Sequence, residues 1–222
     1  MTKKFIISIA LFFTLFTLSA ADKDFKVDLN RIKVETATNP DLYRALLNRF
    51  VVGDSTLTMD EMATVYYGYA FTIDYMPTDN YDAIQESYTQ GKYAETWHLC
   101  EEALKYNPVS LDLTIKALVS ATNCNLKNAQ AMIPALQNRY ELISTLILMS
   151  GKGTDVDSPF IVICEQDINR ILRNVICVES IIGQTGIRNL VAYKVKLAMN
   201  DRQHILYFDN NLQKEYEKLH GE

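Results

Sequence analysis

Histidine is scarce, with only His98, His204 and His220 in 222 residues, and none of the four cysteines stands at CxxC spacing from another. Zinc and redox sites need clustered ligands or closely spaced thiols, so neither chemistry is expected, and no metal or cofactor with it. There is no GxSxG elbow and no GxxxxGK[ST] loop, which removes the sequence marks of a serine hydrolase and of a phosphate cradle. Lys and Arg number 22 against 27 Asp and Glu and form no cluster. A nucleic-acid partner, whose phosphates must be neutralised, is therefore not expected. The five prolines are too few for a disordered chain that is 48% hydrophobic, except near its N-terminus.

The first 21 residues read as a cleavable signal peptide. Lys3 and Lys4 supply the positive end, Phe5–Leu18 the apolar stretch, and Ser19, Ala20 and Ala21 the small residues of a cleavage site. The stretch is about 14 residues where a spanning helix needs ~20, so no membrane span is expected in the mature chain. No cysteine follows the small residues, so the expected product is not a lipoprotein but a free protein of the bacterial periplasm or the exterior. It would carry 20 basic and 27 acidic residues, a formal charge of −7. Cys100, Cys124, Cys164 and Cys177 are read as free, buried thiols, because a chain this long builds a core without staples.

Residues 22–150 are helical in pattern. Phe25, Leu29 and Ile32 fit a short amphipathic lead-in. Asn39-Pro40-Asp41 opens a second helix through Leu42, Ala45, Leu46, Arg49 and Phe50, which Gly53 ends. Thr58 and Glu61 make a capping box for a third, through Met62, Val65, Tyr66 and Tyr69. Tyr88–Pro108 resembles the second half of a tetratricopeptide repeat, with Gly91 at the inter-helix turn, Tyr93 and Ala103 at packing positions and Pro108 closing the unit. Thr96 departs from that pattern. Leu111–Ala121 and Leu126–Met149 read as further helices.

From Ser150 the period changes. Phe160–Cys164, Val175–Gly183, Ile187–Leu197 and His204–Phe208 read as strands, with turns at Gln184-Thr185-Gly186 and Met199–Arg202. Asp167–Arg173 reads as a short helix and the segment after Asn210 as a final one. The fold class is thus α+β. Tetratricopeptide-like hairpins in 22–150 pack against a small antiparallel sheet with a terminal helix in 151–222.

Arg49-Phe50, Thr56-Leu57-Thr58 with Glu61, Tyr66-Tyr67-Gly68, the repeat-like helix pair, Ser150–Thr154 and Tyr207-Phe208-Asp209 occur in an order that resembles a family of exported Bacteroidetes proteins known as a domain of unknown function. The resemblance implies export and the helix-then-sheet layout, and it implies no activity.

Tyr66, Tyr67, Tyr69, Phe71 and Tyr75 share helical faces, which suits inter-helix packing and, as the second reading, an aromatic platform for a sugar or peptide. Gly151 is read as a helix C-cap in preference to part of a phosphate loop, Asp155 and Asp157 as solvated carboxylates, and His98 as a packed or surface residue. The function expected is protein or peptide binding on the helical surface, without enzyme activity, with Arg49, Tyr66, Tyr67, Tyr69 and Tyr75 as the binding residues. The alternatives are a hydrolase or sugar-processing enzyme with its site between helices and sheet, and a structural subunit that pairs through a sheet edge.

Overall fold

The computed structural model describes residues 25–77, 81–197 and 202–221. The expected leader and its cleavage site lie outside the described residues, as does the Met199–Arg202 turn apart from Arg202 itself.

Among the described residues ten helices and four strands follow in the helix-then-sheet order expected. α1 (Leu29–Thr38) starts where Asp28 accepts from the Arg31 amide, and α2 (Pro40–Val51) carries proline in its first turn. Gly53, at φ +77°, turns the chain out of α2. A Cβ there would sit 2.6 Å from the Ala135 backbone, so glycine is required on both counts. α3 (Met59–Tyr69) opens on the full capping box of Thr58 and Glu61. α4 (Asp82–Thr89) and α5 (Tyr93–Tyr106) form a hairpin through Gly91 at φ +70°. Thr96, the departure from the repeat pattern, spends its hydroxyl on Ser87 across that hairpin at 2.9 Å.

α6 (Leu111–Asn123) is capped by Ser110, whose side chain accepts from the Leu113 amide. The helix expected over Leu126–Met149 is divided into α7 (Lys127–Ala131) and α8 (Ile133–Met149). Pro134 causes the division, because it has no N–H to extend the earlier helix and is tolerated in the first turn of a new one. No helix among the described residues is long and apolar enough to cross a membrane.

The sheet has the order β1-β4-β3-β2. β2 (Val178–Ile187), β3 (Leu190–Leu197) and β4 (Gln203–Asp209) form the expected antiparallel meander. β1 (Phe160–Ile161) joins β4 in parallel, a pairing the pattern did not signal. The hairpin turn falls at Arg188-Asn189, with Arg188 left-handed at φ 56°, and not at Gln184–Gly186, which stay paired to Tyr193, Ala192 and Val191. α9 (Glu165–Arg170), extended by a π-helical turn over Ile171–Val175, fills the link from β1 to β2, and α10 (Asn211–His220) ends the chain.

Tyr193, Val195, Leu206 and Phe208 on one sheet face meet Phe50, Tyr66, Tyr67, Ile143 and Ile147 in the principal core, which therefore runs across both halves. Each such large apolar group stabilises the fold by roughly 1.5–3 kcal/mol on burial. A second core joins Ile84, Trp97, Cys100, Leu113, Ala117 and Leu136 within α4–α8. Cys100 and Cys124 are buried, Cys164 is half-buried and Cys177 exposed, all unpaired.

Candidate functional site

The tyrosines do not form an exposed platform. Tyr66 and Tyr67 are 0% exposed, and Tyr69 and Tyr75 are buried with them. Their hydroxyls instead pin the segment after β1 to the helices. Tyr67 donates to the Ile161 carbonyl at 3.1 Å, Tyr75 donates to the Ile163 carbonyl, and the Ile163 amide donates to the Tyr66 hydroxyl at 3.3 Å. Tyr69 reaches the carbonyls of Asp74 and Tyr106 at 2.8 and 2.9 Å. This also explains why the strand expected over Phe160–Cys164 pairs for two residues only: buried backbone groups need partners, and side-chain hydroxyls supply them where a ladder would. Burial pushes the Tyr66, Tyr67 and Tyr75 phenols well above their ordinary value, so they remain protonated donors.

Arg49 stays at the surface, its side chain 37% exposed, but is engaged within its own chain. Its Nε donates to Asp54 at 2.8 Å, Nη1 to Glu61 at 2.7 Å and Nη2 to the Thr56 hydroxyl at 3.2 Å. It clamps the α2–α3 loop through three of its five N–H groups. The Thr56 hydroxyl and then Arg49 hold Asp54 down at about 2.

A polar seam between α3, α6 and α9 escaped the sequence reading. Asp167 is 0% exposed, and its Oδ2 accepts from Tyr66 at 2.5 Å. Burial raises its pKa to about 6, although the Tyr66 hydroxyl, the Cys164 thiol and the Leu111 amide each favour the charged form. Beside it Asp112, on α6, accepts from Arg170 at 2.6 Å and from Lys116 at 2.8 Å. Of these only Asp112 and Lys116, opposite charges four residues apart on a helix, left a mark in the sequence. A carboxyl that titrates near neutrality suits proton transfer. The adjoining cavity, lined by Tyr81, Asn107, Ser110, Asp112, Cys164 and Gln166 among others, is only about 20 Å³, room for water.

The remaining sequence candidates stand apart. In Ser150–Thr154 the amides of Lys152 and Gly153 both donate to the Ser158 carbonyl at 2.9 Å, so they are not offered to a phosphate. Gly151 is not left-handed, as a C-cap glycine would be. It is needed because a Cβ would lie 2.1 Å from the Pro159 carbonyl oxygen. Asp157 pairs with Arg188 at 3.1 Å, and Asp155 accepts from the Asp157 amide. His98 is exposed beside Glu101, while His204 and His220 lie on β4 and α10. Among the described residues no three His, Cys, Asp or Glu side chains converge as a metal site would require.

The exposed feature that remains is the outer edge of the sheet. β2 is ten residues long and among the described residues pairs only with β3, and Ile182–Gly186 are all exposed. From Ser180 to Ile187 it carries no charge. Bulges at Glu179 and Ile182 twist its first half, while Gly183–Ile187 pairs with β3 without interruption. A sheet edge presents unpaired N–H and C=O groups to any extended chain, and bulges guard against that only where they occur.

These features define an α+β protein whose helices brace a four-stranded sheet with β2 at one edge. The chain belongs to the family described as a domain of unknown function, DUF4919, whose model matches residues 30–218. No curated protein and no solved structure matches it.

Proposed function

We propose that this protein is an exported binding subunit that joins other protein chains by strand addition at the β2 edge. The observation that carries the reading is the uncharged run Ser180–Ile187, exposed from Ile182 to Gly186 and, among the described residues, without a strand partner on its outer side. Main-chain hydrogen bonds supply affinity in this mode of binding, and it asks little of the side chains. The burial of Tyr66, Tyr67, Tyr69 and Tyr75 removes the aromatic platform that favoured the helical surface as the binding face. Export rests on the Lys3–Ala21 pattern.

A photo-crosslinker at Thr185, used in the producing cells, tests the edge. Adducts at Thr185 that vanish in an Ile182→Lys/Gln184→Lys variant support the reading, and adducts confined to α4–α6 sites overturn it. Sequencing the N-terminus of the cellular protein tests export: a start next to Ala21 is expected, and an intact Met1 would remove the periplasmic reading.

A further inference from the structure

Resting on the edge-binding reading, we infer that the strand added to β2 is β2 of a second copy, in antiparallel pairing about a two-fold axis near Gln184. The chain itself holds the kind of segment this edge would accept: extended over Ser180–Ile187 apart from the single bulge at Ile182, free of charge, and without a strand partner on its outer side among the described residues. The charges that flank the run are of opposite sign. Glu179 stands at one end and Arg188 at the other, and both are exposed. Antiparallel pairing about Gln184 sets the Glu179 end of each copy against the Arg188 end of the other, so both ends of the interface are matched. A parallel pairing would set like against like.

A two-fold interface uses the same patch twice and closes on itself, which prevents the open-ended growth that a bare edge otherwise invites. Within one chain Glu179 meets Lys196 and Arg188 meets Asp157, each at 3.1 Å. Exposed pairs of this kind are weak and exchange readily for a partner across an interface.

The test is the solution mass of the mature protein by light scattering, together with single charge reversals. The wild type is expected to be a dimer. Glu179→Arg and Arg188→Glu should each weaken dimerisation on the order of tenfold at low salt, through like charges brought together. Mixing the two variants should restore a dimer, because each then meets the opposite charge. A role of either residue confined to its own chain would not produce this complementation. A monomeric wild type, or a dimer indifferent to both reversals, overturns the inference. If adducts to a different protein still form at Thr185 in cells, edge binding stands and only its occupant is wrong; if none form, both fall.

Discussion

The Tyr66 hydroxyl donates to Oδ2 of Asp167 at 2.5 Å, a contact between residues 101 apart in sequence that ties α3 to α9. The same hydroxyl accepts the Ile163 amide, so one side chain serves both the carboxylate and the backbone leading to it. The helical half and the sheet are therefore held by buried polar pins as well as by apolar contact.

Asp167 makes stability depend on pH in the sense opposite to most carboxylates. Its folded pKa, about 6, lies above the ordinary 3.8, so the folded state favours the protonated form. The stabilisation is fully present below about pH 4 and is lost as pH rises through about 6, amounting to about 3 kcal/mol. Asp167→Asn should therefore be more stable than the wild type at pH 7.5, and that advantage should shrink toward pH 5. Urea unfolding at the two pH values measures the difference. A constant difference would mean that Asp167 does not titrate in this window.

Tyr67 and Tyr69 are core residues, and their truncation should cost stability before it touches any partner. Tyr67→Ala is expected to destabilise by about 3–5 kcal/mol, as for other large buried aromatics. Tyr67→Phe, which removes only the hydroxyl that reaches the Ile161 carbonyl, should cost about 1 kcal/mol. Thermal melts of the two variants decide the point: an unchanged melting temperature for Tyr67→Ala would return the tyrosines to the surface.

What the sequence disclosed was mostly local. The capping box of Thr58 and Glu61 could be read because both partners lie within one helical turn, and Gly53 and Gly91 because a helix end needs a left-handed residue. The tyrosine stripe was visible, but its direction depends on acceptors at Ile161, Ile163 and Asp167, about a hundred residues away. Gln184-Thr185-Gly186 has turn composition, yet pairing with β3 overrode it, and the turn went to Arg188, where composition gives no warning. Asp167 and Arg170 lie in an ordinary polar stretch. Only tertiary contact distinguishes them.

The Arg49 clamp and the capping box share Glu61, which accepts from Arg49 through Oε1 and from the Thr58 amide through Oε2. Thr58→Ala should cost about 1 kcal/mol, the usual worth of an N-cap. Arg49→Lys keeps the charge but loses the planar fork that reaches three acceptors, so it too should melt below the wild type. Asp54, held at about 2, contributes stability that is present above its ordinary 3.8 and is lost as pH falls through about 2. The deficit of Arg49→Ala should therefore narrow in strong acid. Melting curves from pH 7 down to 2 measure it, and a deficit that widens with acid would contradict the clamp.

Arg139 is 3% exposed, and no carboxylate among the described residues pairs with it. Its Nη2 donates to the Pro108 carbonyl, its Nε has no partner, and the guanidinium lies 5.3 Å from the centre of the Phe50 ring. Burial lowers its pKa to about 10, so the folded state disfavours the charge; stability is flat with pH well below about 10 and rises as pH climbs through about 10 toward the ordinary value. The desolvation cost of an unpaired ion is several kcal/mol, against about 1–2 kcal/mol returned by the ring. Arg139→Met, which fills similar volume without charge, leaves the Pro108 carbonyl unpaired at about 1 kcal/mol and should still be more stable than the wild type by about 1 kcal/mol. Urea unfolding at pH 7 measures the balance. A loss of about 3 kcal/mol or more would show instead that the guanidinium is held by an anionic group and does essential work in the fold.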